Sequence, residues 1–79
     1  MAAQFTEKQG QYLPFIYAYT KLHRRPPAES DMQTFFEVTP PSVRRMVVEL
    51  ERRGLIRRQA GQARSIQLLV EPVALPVLR

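Results

Sequence analysis

Seven arginines stand between positions 44 and 64: Arg44, Arg45, Arg52, Arg53, Arg57, Arg58 and Arg64. Only Glu49 and Glu51 oppose them there. Residues 1 to 38 balance Lys8, Lys21, Arg24 and Arg25 against Glu7, Glu29, Asp31 and Glu37, so the arginine segment carries the excess behind the net charge of +5. The guanidinium is a planar fork that matches phosphate oxygens and the O6/N7 edge of guanine. A sequence pI of about 10.5 is the electrostatic footprint of a nucleic-acid binder. Other chemistry is hard to build from these residues. Without cysteine there is no disulfide and no thiolate metal site. His23 is the single histidine. It lacks a second ligand type at metal spacing and reads as a helix C-terminal cation or a surface residue. The serines have no neighbouring base in a catalytic arrangement, and no glycine loop is shaped to cradle a phosphate. The expectation is no enzyme, no metal and no cofactor.

The arginines need an element to aim them, and Thr39 to Arg53 supplies one. Thr39 is a candidate N-cap, Pro40 and Pro41 suit the first helical positions, and Gly54 suits the left-handed stop. At 100° per residue Val43, Met46, Val47 and Leu50 share one side. Arg45, Val48 and Arg52 share the other, with Arg44 and Glu49 at its margins. Taken alone, this is an ordinary amphipathic surface helix with solvated arginines.

Its neighbours give the outer face a target. Glu29 to Phe36 predicts a short helix, with Ala28 where a cap would stand and Ser30 able to take over. Glu37, Val38 and Thr39 make the turn that follows. Two short helices joined by three or four residues are the helix-turn-helix plan, whose second helix reads the major groove. After Gly54 the period becomes two. Residues 55 to 59 and 64 to 70 read as strands around a turn at Ala60 to Ala63, with Arg57 or Arg58 and Arg64 flanking the tip.

Upstream, a helix runs from about Thr6 to His23, with Thr6 and Gln9 at capping-box spacing. Leu13 and Ile16 mark its core face, and Tyr12, Phe15 and Tyr19 are read as core aromatics. Gly10 and Pro14 predict a bend in one helix, since proline cannot bond back to the Gly10 carbonyl. Pro26 and Pro27 predict an extended segment that could add an edge strand.

The expected fold is mainly α with a small β-hairpin, a three-helix winged helix-turn-helix over residues 1 to 70. Residues 71 to 79 form a proline-bearing apolar tail whose Val73, Leu75, Val77 and Leu78 are expected to pack on the domain or on a second subunit. With 79 residues the chain is one small domain. The first residues are not arranged as a signal peptide, and no apolar run approaches a membrane span, so a cytoplasmic protein is expected.

Four runs together resemble the N-terminal DNA-binding domain of LexA-type repressors: FTEKQGQYLPFI at 5 to 16, RPPAE at 25 to 29, SVRRMVVELERRGLI at 42 to 56 and GQARSIQLL at 61 to 69. The resemblance implies that Ser42, Arg44, Arg45, Val48, Glu49 and Arg52 lie near double-stranded DNA. It implies that Arg58, Gln62 and Arg64 of the wing meet phosphate or the minor groove. LexA-type repressors continue into a self-cleaving domain with a serine–lysine pair and the family's dimer contacts. This sequence stops before that point, so the expectation is the reader without the protease, and residues 71 to 79 become the candidate homodimer contact. Glu37 departs from the family, which often has glycine in that turn. The implied function is sequence-specific DNA binding by a small repressor-like regulator. The alternative is a winged helix used as a protein-interaction module.

Overall fold

The computed structural model describes residues 7 to 78. The first helix, α1, spans Glu7–His23 without interruption across Pro14, so the proline leaves one helix, not two. The expected Thr6 cap lies outside the described residues. The helix ends on Arg24 in the left-handed region at φ 60°, with its N–H on the Thr20 carbonyl at 2.8 Å. The next segment is extended but adds no strand. Pro27 is fully buried there, so the segment serves as packing and not as a sheet edge.

The second helix, α2, spans Glu29–Phe36. It starts where expected, with a cap that neither Ala28 nor Ser30 supplies from its side chain. Alanine has no side-chain acceptor, and Ser30 does not take over. Instead the Asp31 carboxylate reaches back to the Ala28 N–H at 2.8 Å, the reciprocal half of a capping box. Its end is as the turn required. Glu37 sits at φ 55°, ψ 51°, and Val38 N–H returns to the Gln33 carbonyl at 3.2 Å. The third helix, α3, spans Pro40–Arg52. Thr39 Oγ1 accepts from the Ser42 N–H at 3.4 Å and donates to Ser42 Oγ at 3.0 Å. At the other end Gly54 adopts φ 75°. Leu55 N–H bonds the Leu50 carbonyl and Gly54 N–H the Glu51 carbonyl, both at 3.0 Å, the two bonds of a Schellman stop.

The hairpin is shorter than the sequence suggests. Strand β1 is Ile56–Arg57 and β2 is Gln67–Leu68, paired antiparallel with Ile56 opposite Leu68 and Arg57 opposite Gln67. The intervening turn relies on side chains. Ser65 Oγ accepts from the Gln59 N–H at 2.8 Å, and Gln62 N–H bonds the Gln59 carbonyl at 3.2 Å.

One core joins these elements. Tyr12, Leu13, Phe15 and Ile16 of α1 meet Met32 of α2, Val43, Val47 and Leu50 of α3, and Leu55, Ile56 and Ile66 of the hairpin. Each aliphatic side chain removed from water there contributes about 1.5–3 kcal/mol. Aromatic rings join α1 to α2. The Tyr12 and Phe36 rings lie 4.2 Å apart and nearly parallel, and Phe15 packs on Phe35 at 4.6 Å. The tail divides. Leu75 and Leu78 pack against the core, after a 3-10 turn at Pro72–Ala74, while Val73 and Val77 face solvent. Gln11 Nε2 fastens the tail by donating to the Val77 carbonyl at 2.9 Å.

Candidate nucleic-acid interface

Burying Val43, Val47 and Leu50 forces the opposite side of α3 outward. Arg45, Val48 and Arg52 are exposed along that ridge, one turn apart, as the 3.6-residue period requires. Val48 is 45% exposed, an apolar methyl pair standing in solvent between two arginines. Ser42 is half-buried at the start of the ridge. Its hydroxyl accepts from Thr39 and keeps its own proton to donate.

The side chains on this ridge are not equally available. No ion pair or hydrogen bond engages the Arg45 guanidinium among the described residues. Arg44 leans toward Glu29 of α2, with Nε 3.7 Å from Oε1, a loose pair with little hold on either partner. Glu49 is occupied. Arg52 grips it with Nη2 at 2.7 Å and Nε at 3.2 Å, and Arg53 Nε adds a bond at 2.7 Å. The hydrogen bonds from Arg52 and then Arg53 hold the Glu49 carboxyl below its ordinary pKa.

Two grooves flank α3 and divide its neighbouring arginines. Arg44 lines a groove of about 620 Å³ with Glu29, Glu51, Arg58 and Gln62, between α2, α3 and the wing. Arg45 and Ser42 line a groove of about 810 Å³ on the other side, with Tyr12, Phe35 and Met46. The helix thus stands as a ridge with a channel on each side.

On the wing, Arg58 and Arg64, which the resemblance places near phosphate or the minor groove, are both engaged with the body of the domain. Gln62 is exposed at the turn. Arg58 turns back to Glu51 of α3, Nε to Oε1 at 3.1 Å, with Nη1 3.9 Å from Glu29 Oε2. Arg64 Nη1 donates to Asp31 Oδ2 at 2.9 Å and to the Tyr19 hydroxyl and Pro26 carbonyl at 3.2 Å. The exposed wing arginine is Arg57, beside Gln67 with Nε to Oε1 at 3.2 Å. Strand alternation carried this signal. Arg58 shares parity with buried Ile56, Arg64 with buried Ile66, and Arg57 falls on the outer face.

No group of three or more histidines, cysteines, aspartates and glutamates among the described residues could hold a metal ion, and His23 is engaged with the Tyr19 ring at 4.1 Å.

The sequence is similar to those of known proteins. Residues 4 to 62 match the family described as iron dependent repressor, N-terminal DNA binding domain. A LexA repressor from Ruegeria sp. (strain TM1040) is 37% identical over 71 residues, covering 89% of this chain and 30% of the relative. A LexA repressor from Thermosipho melanesiensis is 34% identical over 76 residues, covering 94% of the chain and 38% of the relative. One from Pseudothermotoga lettingae is 32% identical over 80 residues, covering 99% and 40%. The chain therefore spans about a third of the length of the curated relatives it matches. The four sequence runs, the helix-turn-helix with its hairpin and the match over most of the chain agree: it belongs to the iron-dependent-repressor N-terminal DNA-binding domain family and is a winged helix-turn-helix similar to LexA repressors.

Proposed function

We propose that the chain is the DNA-reading domain of a repressor-like transcriptional regulator, binding double-stranded DNA with α3 in the major groove. The observation that carries this is Arg45, held on an outward ridge by a buried rear face and without a protein partner among the described residues. A major groove about 12 Å wide admits one helix. Arg45 is the candidate base reader, Val48 the candidate contact for a thymine methyl, and Ser42, Arg44 and Arg52 the candidates for the margins. On the wing, Arg57 and Gln62 are the exposed polar groups that meet backbone or minor groove in this reading. Glu49 acts by holding Arg52 and Arg53. A cytoplasmic location goes with this function. Among the described residues no helix is long and apolar enough to cross a membrane.

One domain of this size covers a half-site, and two-fold dimers are the usual way such domains read a palindrome. Val73 and Val77, 93% and 82% exposed, support residues 71 to 79 as the dimer contact. The same exposed pair supports the second reading, a protein-interaction module. Selection of bound duplexes from random sequence separates the two. The expected result is enrichment of a palindromic motif whose binding weakens steeply as salt rises. Enrichment of no motif, with affinity flat in salt, rejects the DNA reading.

A further inference from the structure

The ladder that makes the hairpin is two residue pairs long, and a two-stranded ribbon of that length is not stable by itself. Something else must set the angle at which its tip stands from α3. Ile56 and Ile66 root it in the core, and two arginines, one on each limb, both reach carboxylates in the first turn of α2. Arg58 approaches Glu29 while holding Glu51 of α3. Arg64 has the stronger anchorage. Its Nη1 meets the Tyr19 hydroxyl of α1, the Pro26 carbonyl of the connector and Asp31 Oδ2 of α2. Its guanidinium carbon also lies 5.9 Å from the centre of the Tyr19 ring, within cation–π range. The same Asp31 oxygen accepts the Ala28 N–H. One carboxylate therefore starts the helix that leads into the reading turn and also anchors the returning limb of the wing.

We infer that Arg64, through Asp31, is a positioning residue that sets the wing against α3, and is not itself a phosphate contact. The inference rests on the DNA-binding reading for its consequence but not for its geometry. The two accounts of Arg64 differ in sign at Asp31. Neutralising an acid beside a phosphate contact raises affinity, because it removes a repulsion and frees the arginine. Neutralising the anchor of a wing lowers affinity, because the tip is no longer held in place for the duplex.

The test compares Arg64→Gln, Asp31→Asn and the double variant. In the free protein, hydrogen exchange at the Gln59 and Gln62 amides should speed up roughly three- to tenfold in each single variant, with α3 amides unchanged. The double variant should gain little more, since both changes break one link. Unchanged exchange at both amides overturns the inference whatever happens on DNA. On a duplex that extends beneath the wing, both single variants should bind about three- to tenfold more weakly. On one trimmed to the α3 site the loss should be under about twofold. A merely structural defect would weaken both duplexes alike and would overturn the inference. So would a gain in affinity for Asp31→Asn together with a salt slope lowered by about one in Arg64→Gln. If the unmodified protein binds no duplex, the functional reading fails and the exchange measurement alone decides the anchor. Should Asp31→Asn fail to fold, Tyr19→Phe removes one acceptor and no charge. It should speed exchange at the same amides about twofold, and no change would overturn the inference.

Discussion

Arg52 lies along Glu49 as a fork, Nη2 2.7 Å from Oε2 and Nε 3.2 Å from Oε1, one turn apart on α3. With Arg53 on the same carboxylate, two positive charges near the end of α3 are tied to one negative charge. Glu49→Gln releases both. The expected outcome is tighter binding to duplexes of any sequence and a salt dependence steeper by about one to two charges. A salt titration on specific and scrambled duplexes checks it. An unchanged slope would mean that neither arginine approaches phosphate.

Arg45 has no such tie, so its loss should be read almost entirely on DNA. Arg45→Ala should leave the melting temperature nearly unchanged and remove about 1–3 kcal/mol of discrimination at one base position. Binding to a panel of single-base variants of the selected site measures this. An equal loss on every sequence would identify Arg45 as a backbone contact.

Two left-handed residues close the helices on either side of the reading turn, and they should respond in opposite directions to substitution. Glu37 stands at φ 55° and Gly54 at φ 75°. Glu37→Gly should stabilise by about 1 kcal/mol, since glycine takes that region without a Cβ penalty. Gly54→Ala should cost about the same. A Cβ there meets nothing within 4 Å, so the cost is conformational and not a clash. Thermal unfolding resolves both, at about 4–8 °C per kcal/mol for a domain of this size.

Acid should loosen the contact between wing and α2. Partial burial pushes the Asp31 pKa up, but the bonds from the Ala28 N–H and Arg64, with Tyr19, outweigh it and hold the group below its ordinary value of 3.8. A folded-state pKa below the unfolded one contributes stability in full above the unfolded value. That stability is lost as pH falls through the folded value. Urea unfolding should therefore show a decline in stability starting at about pH 5 and steepening below it. Asp31→Asn should make that acid slope shallower and lower the plateau above it. A slope identical in the two proteins would remove Asp31 from the account.

The tail offers a separation between packing and association. Leu75→Ala and Leu78→Ala should each destabilise by about 1–2 kcal/mol, less than a fully buried leucine would. Val73→Ser and Val77→Ser should leave stability nearly unchanged. If the tail joins two copies, the valine changes should shift sedimentation toward the monomer while the fold persists. Unaltered sedimentation would reject the tail as a dimer contact.

How far the sequence reached depended on the kind of signal. The ends of α3 were legible because Thr39, Pro40 and Gly54 act locally and each has one inexpensive use. The buried rear face followed from period alone. The strand lengths were overestimated because alternation in residues 55 to 59 and 64 to 70 records which side chains face inward, not how many backbone pairs form. The turn between them is closed by Ser65, whose role depends on the Gln59 N–H six positions earlier. The start of α2 at Glu29 was legible but its cap was not, for a similar reason. Asp31 does the work from the third position, and its other partner, Arg64, is 33 residues away. Arg58 and Arg64 were singled out by resemblance and by their place beside the tip, neither of which weighs the parity that places them beside Ile56 and Ile66. Charge says what a side chain can bind, and parity says which way it points.

The start of α3 carries one more implication. Pro40 and Pro41 have no N–H, the Ser42 N–H is engaged by Thr39, and the Val43 N–H bonds the Thr39 carbonyl at 3.1 Å. Of the four amides that a helix ordinarily leaves open at this end, those of positions 40 and 41 do not exist and that of Ser42 is engaged, which leaves the Thr39 N–H. Many helices greet a phosphate with free backbone donors, which hold any sequence equally well. This one has at most the Thr39 N–H to offer at its leading end, so if α3 enters a groove its grip depends mainly on side chains. In that reading, substitution at Ser42, Arg45 or Val48 should redirect preference against little background of sequence-blind grip from the helix start.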